Sequence, residues 1–231
     1  MTFCLGMRVD DGLVAIADTR ITSGTEVTIA RKLSIYQHDN HSMFLMTSGL
    51  RSVRDKALTY FDEIIESQDE KFDKLYKAVN AFGEAIRRVA KEDRDAIQDA
   101  GLHFNLHCLV GGQLERDAEH KLYLLYPAGN WIEVGTGTPY YIIGESGYGK
   151  PIIRRTLQFT DSMRHALKVG VLAFDSTRIS ATDVDYPIDV VLYQRDSYQM
   201  LEQRFDAADL AELTDFWQER LRSGVAQLPA E

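Results

Sequence analysis

The chain has 231 residues, 45% of them hydrophobic, which is enough apolar material for a substantial core and excludes global disorder. Its 35 Asp and Glu outnumber its 26 Lys and Arg, for a formal net charge of −9, and no basic run interrupts the acidic balance. That argues against nucleic acid or an anionic membrane surface as the main partner. No window approaches the ~20 apolar residues of a membrane span. A secretory leader is not expected either, because there is no basic n-region and Asp10-Asp11 ends the first apolar stretch. Cys4 and Cys108 fall in apolar strand patterns and read as reduced core thiols of a cytoplasmic protein rather than a disulfide framework.

Met1-Thr2 opens the chain. Methionine is commonly removed before a small side chain, and Thr2 would then carry its α-amine beside its own hydroxyl. That is a nucleophile with a built-in base. Thr2–Val9 alternates, with Phe3, Leu5, Met7 and Val9 on one face. Asp10-Asp11-Gly12 is a turn and Leu13–Ala17 a second apolar strand, so residues 2–18 predict a β-hairpin. Residues 19–31 are polar and glycine-containing. Leu33–Tyr36 and Ser42–Thr47 predict another strand pair, and Ser48-Gly49 breaks the second strand before a helix. Arg51 to Ser67 and then Phe72 to Val89 carry apolar residues at spacings of 3 and 4, an αα hairpin with one stripe on each helix. Lys91–Asp99 reads as solvated helix or loop.

Leu102–Val110 alternates as a strand that Gly111-Gly112 would end. Leu122–Tyr126 and Trp131–Val134 form the next hairpin, followed by the short apolar Tyr140–Ile143. Helices are expected at about 148–158 and 161–174, the second capped by Thr160. Ile188–Tyr193 is a strand, and Asp206 can cap a last helix with Leu210, Leu213, Trp217 and Leu221 on one face. No linker, internal repeat or low-complexity segment is present. Runs of strands followed by runs of helices predict an α+β protein of antiparallel sheets. Two stacked sheets with a helix pair outside each would bury every stripe.

Several segments together carry a family pattern. They are Met1-Thr2-Phe3-Cys4-Leu5-Gly6, Leu13-Val14-Ala15-Ile16-Ala17-Asp18-Thr19-Arg20, Arg31-Lys32-Leu33, Thr47-Ser48-Gly49, Gly144-Glu145-Ser146-Gly147-Tyr148-Gly149-Lys150-Pro151 and Ala173-Phe174-Asp175-Ser176-Thr177-Arg178. With them the chain resembles the proteasome-type N-terminal nucleophile hydrolases, most closely the bacterial Anbu branch, over nearly its whole length. The resemblance implies one peptidase domain over 1–231, a four-layer αββα sandwich, and self-assembly into rings or open spirals of identical subunits. It implies a peptide or other amide as substrate and no metal or organic cofactor; an unfoldase partner is left undetermined. It implies Thr2 as nucleophile with Asp18 and Lys32 beside it. The corresponding Lys of proteasome subunits lies a residue or two further along, so Arg31 competes with Lys32. It also implies that Thr136, Asp175 and Ser180 support the Thr2 amine, although the spacing after Asp175 departs from the proteasome pattern.

The chemistry fits those residue types. An α-amine titrates near ~7.7–8.0, so a useful fraction is neutral at physiological pH. A neighbouring Lys32 ammonium would lower it further, and Asp18 would hold Lys32 in place. Backbone N–H groups at Ser48-Gly49 could stabilise the oxyanion of an acyl intermediate. Each residue also has a plainer role. Thr2 could be an unprocessed second residue, Asp18 a turn cap or partner of Arg20, Lys32 a surface charge, and Ser48-Gly49 a strand-to-helix connection. Asp175 near a helix end would oppose the macrodipole.

Three alternatives remain. An amidase or transferase, or an inactive scaffold, could share this fold. A nucleotide-binding protein could use Gly144 to Lys150, which fits G-x-x-x-x-G-K. Pro151 occupies the Ser/Thr slot of that motif, however, removing a hydroxyl and an N–H. His103 and His107 would stand ~13 Å apart on one strand face, too far apart to share a metal.

Overall fold

The computed structural model describes residues 2–23, 25–67 and 72–229. Strands β1 (Phe3–Val9) and β2 (Gly12–Asp18) form the predicted hairpin, in a register running from Cys4 opposite Ala17 to Val9 opposite Gly12. They sit at the middle of a five-stranded antiparallel sheet of order β10-β1-β2-β11-β12, where β10 is Tyr140–Gly144, β11 Ile188–Gln194 and β12 Met200–Phe205. The second sheet, order β5-β6-β7-β8-β9, contains β5 (Leu33–His38), β6 (His41–Gly49), β7 (Leu106–Gln113), β8 (Lys121–Leu125) and β9 (Trp131–Glu133). A separate hairpin, β3 (Arg20–Ser23) with β4 (Glu26–Ile29), fills part of the stretch read as polar loop.

Three apolar layers hold the two sheets and their helices together. Phe3, Leu5, Met7, Val14 and Ile16 pack against Ala166, Val169 and Phe174 of one outer helix, Met163–Ser180. Helices α1 (Arg51–Ser67) and α2 (Leu75–Asp99) cover the other sheet through Val53, Ala57, Phe61, Val79, Phe82 and Ile86. Between the sheets lie Cys4, Leu13, Ala15, Ala17, Phe44, Leu109 and Leu122. The alternation of β1 therefore separates two buried faces rather than core from solvent. Its inter-sheet face is small: a side chain at Gly6 would stand 3.1 Å from the Leu122 methyls. Burying each large apolar side chain contributes about 1.5–3 kcal/mol. The arrangement is a four-layer αββα sandwich, as the element order predicts.

Several boundaries differ from expectation. Residues 102–105 precede β7 because its partner β6 ends where Gly49 meets Leu106. Gly111 and Gly112 continue β7 rather than ending it, and a Cβ at Gly111 would stand 2.4 Å from the Phe44 ring. Residues 91–99 continue α2 as helix. Helix α3 is shorter than expected (Lys150–Thr156) and α4 longer (Met163–Ser180). The α4 N-cap is Ser162, whose Oγ accepts from His165 N at 3.2 Å, not Thr160. Asp206 and Asp209 form a capping box at the start of α5 (Ala207–Ala226). His103 lies outside β7, so the pair with His107 is not on one strand, and no metal-binding cluster occurs among the described residues. No helix is long and apolar enough to cross a membrane among the described residues.

Candidate active site

The β1–β2 register brings Asp18, at the end of β2, beside the first residues of β1. Its Oδ1 accepts from Phe3 N at 2.8 Å. Lys32 precedes the first strand of the other sheet and reaches across the gap between sheets. Its Nζ donates to the same Asp18 Oδ1 at 2.7 Å and to the Arg20 carbonyl at 2.6 Å. Both side chains are out of solvent, 3% exposed for Lys32 and 0% for Asp18. On the other side, Glu145 N donates to the Thr2 carbonyl at 2.7 Å. Gly144 has φ +85, and a Cβ there would stand 1.9 Å from the Thr2 oxygen. Only glycine allows β10 to clamp the Thr2 backbone this closely.

These elements enclose a cleft of about 400 Å³ whose walls include Thr2, Lys32, Ser48, Gly49, Asn105 and Gly144. Gly49 ends β6 at φ +149, and a Cβ there would meet the Asn105 carbonyl at 2.0 Å. The peptide at the cleft wall is thus bare backbone. Thr2 itself is half-buried at the mouth.

Burial raises the Asp18 carboxyl above the usual carboxylate range, opposed by the Lys32 charge and by the hydrogen bonds from Lys32 and Phe3. Asp18 Oδ2 is buried with no hydrogen-bond partner among the described residues. A desolvated pair of this kind is a poor device for stability, because burial offsets much of the attraction. The neighbouring Cys4 is no rival nucleophile: burial drives its thiol far above the ordinary range, and Sγ contacts the Thr47 carbonyl at 3.8 Å.

The structure thus brings Thr2, Asp18, Lys32, Ser48 and Gly49 to one place. Arg31, the competing cation, instead pairs on the surface with Glu202, and Arg20 pairs with Asp185 at 2.9 Å. Three other predicted residues do not line the cleft. Thr136 sits in an exposed turn after β9. Asp175 lies inside α4, not at a helix end, because that helix runs on to Ser180. Its carboxylate is engaged by Arg178 at 2.8 Å. Ser180 is the exposed last residue of α4.

Residues overlooked in the sequence are Thr22, Arg51, Arg54, Asn105 and Gly144, all of which line the cleft. Two signals were available: Gly144 stands in the G-x-x-x-x-G-K string, and Arg51 and Arg54 lie one turn apart shortly after Ser48-Gly49. The glycine of that string is accounted for by its contact with Thr2, and the string leads only into the seven-residue α3.

No family model matches the chain, and no curated protein matches it in sequence. Solved structures do. The chain is 29% identical to an Anbu (Gly-1) mutant from Hyphomicrobium sp. strain MC1, covering 100% of this chain and 99% of that one, with a TM-score of 0.91. Anbu, the ancestral β-subunit, from Yersinia bercovieri gives 29% identity, 99% and 98% coverage and a TM-score of 0.89. A helical assembly of the Anbu complex from Pseudomonas aeruginosa gives 27% identity, 99% and 98% coverage and a TM-score of 0.90. This end-to-end likeness, with an N-terminal nucleophile hydrolase architecture, makes the chain similar throughout its length to the Anbu structures and supports a place in the proteasome-like β-subunit family.

Proposed function

We propose that the chain is a threonine-type hydrolase of peptide or other amide bonds that uses Thr2 after removal of Met1. The observation that carries this is Lys32, which lines the same cleft as Thr2 and is held from behind by the buried Asp18. Met1 itself lies outside the described residues. Once exposed, the Thr2 α-amine accepts the proton of its own hydroxyl while Oγ attacks the substrate carbonyl. The Lys32 ammonium keeps that amine from holding a proton too tightly, and Asp18 fixes Lys32 in place. The Gly49 N–H, at the unobstructed wall of the cleft, stabilises the oxyanion. Collapse of the tetrahedral intermediate releases the amine product, which takes the proton back from the α-amine. Water then hydrolyses the Thr2 ester by the same acid–base route.

The chain acts as a homo-oligomer in this proposal, supported by the helical assembly formed by the Pseudomonas aeruginosa relative. The test begins with the intact mass of the purified protein. A mass lacking Met1, labelling of Thr2 by a threonine-directed acylating inhibitor, and loss of all peptidase activity in Thr2→Ala with assembly preserved are expected. Unchanged peptidase activity in Thr2→Ala would remove the proposal. A chain that keeps Met1 under all conditions would make it an uncleaved proform or a scaffold.

A further inference from the structure

The same cleft has a charge asymmetry that the hydrolytic chemistry does not use. Arg51 and Arg54 both line it, while among the described residues no Asp or Glu does. The two arginines occupy the first turn of α1, spaced i, i+3, so they share one helix face. Cations are unfavourable at the positive end of a helix, and α1 carries no acid in its first turn. Their placement therefore runs against helix stability.

Asp55 partly offsets them. It accepts from Arg54 Nε at 2.8 Å and pairs with Arg54 Nη2 at 2.6 Å and with Arg51 Nε at 3.4 Å. One carboxylate against two guanidiniums leaves a net cation, and Lys32 and Asp18 neutralise each other. The Arg54 side chain is only 14% exposed and so held in position, whereas Arg51 is 64% exposed and can swing over the opening. Ser48 and Gly49 stand just before this turn and line the same cleft, so a peptide whose carbonyl sits at Gly49 lies in a cleft that also presents the two guanidiniums.

We propose that the cleft selects peptides with an acidic side chain beside the reacting carbonyl, with Arg54 as the fixed recognition group and Arg51 as a mobile second. This rests on the reading of the cleft as the substrate site. Planar guanidinium and carboxylate groups match in shape as well as charge, so glutamate should be distinguished from its neutral isostere glutamine.

The test is binding, so that it does not depend on turnover. Two acetylated, C-terminally amidated tripeptides differing only in Glu or Gln at the last position are titrated into the full-length Thr2→Ala protein at low salt. The Glu peptide should bind roughly tenfold tighter, a margin typical of one charge-assisted hydrogen bond, and the margin should shrink as salt rises. Arg54→Gln should erase it, and Arg51→Gln should reduce it, which keeps the test sound if one variant folds poorly. Equal affinity for the two peptides, tighter binding of Gln, or no binding of either overturns the proposal. Separately, the wild-type protein is given coumarin-linked versions of both peptides. Absence of cleavage of either would sink the hydrolase reading while leaving the binding ratio to stand by itself.

Discussion

Strand β1 ends in a buried cation system at each extremity, and the two differ. At the far end Arg8, on β1 itself, reaches across to the second sheet. It pairs with Glu119 at 2.9 Å and Glu133 at 3.3 Å, and donates weakly to the Val134 carbonyl at 3.4 Å. The guanidinium is buried, but its acids keep 39% and 38% exposure. At the near end Lys32 and Asp18 are both withdrawn from water, and one carboxylate oxygen has no partner. The consequences point in opposite directions. Glu119 is held below the usual carboxylate range, first by Lys121 and also by Arg8, whereas burial pushes Asp18 above it. One end latches two sheets with acids that water still solvates. The other holds a desolvated acid against a cation beside a cleft, an arrangement that does little for stability and on which the hydrolase proposal rests.

The comparison breaks most visibly at Asp18. Asp18→Asn leaves the Lys32 ammonium buried without its counter-charge, at an expected cost of about 3–5 kcal/mol by denaturant unfolding. A cost below ~1 kcal/mol would show that Lys32 reaches water. Arg8→Met should be far milder, within about 1 kcal/mol, because Glu119 and Glu133 can return to solvent and an apolar side chain fills the same space. A loss as large as that of Asp18→Asn would make the two ends equivalent.

The smallest effect is in pH dependence, and its sign distinguishes the ends. Asp18 has a raised folded pKa. Its contribution to stability is therefore full below its unfolded value and is lost as pH rises through the folded value. Glu119 has a lowered folded pKa, so its contribution is present above its unfolded value and is lost as pH falls through the folded one. Stability measured from pH 3 to 7 for the wild type, Asp18→Asn and Glu119→Gln should give difference curves of opposite slope. Curves of the same slope would mean that burial does not dominate at Asp18. In the hydrolase reading, protonating Asp18 also releases Lys32, so activity should fall on the acid side at a pH above the ordinary 3.8 of an aspartate.

Much of this architecture is legible in sequence because its signals are local. The β1–β2 hairpin follows from alternation and an Asp-Asp-Gly turn. The α1 and α2 stripes follow from spacings of 3 and 4, and α5 from an acidic cap. The elements missed or misplaced lack such signals. β12 is an edge strand whose residues are mostly exposed and whose Glu202, Gln203 and Arg204 are polar in a row, so no apolar alternation announces it. The Gly111-Gly112 pair reads as a strand end, yet the Phe44 ring occupies the space a side chain at Gly111 would take and the Ser42 carbonyl the space of one at Gly112. The segment 102–105 alternates correctly but has no strand to pair with.

The site divides in the same way. Sequence alone supplied a hydroxyl that processing could leave beside a free amine, an acid at a strand end, a cation before the next strand and a Ser-Gly strand-to-helix junction. Only the tertiary structure chose Lys32 over Arg31, because the stacking of the two sheets buries one cation against Asp18 and turns the other to Glu202. It also engaged Asp175 with Arg178, left Thr136 in an exposed turn, and gathered Arg51 and Arg54 into the wall of the cleft. The physical reason is that periodicity and turn chemistry act between near neighbours. Which charge loses its water depends on how residues far apart in the chain close over it, and no local pattern encodes that.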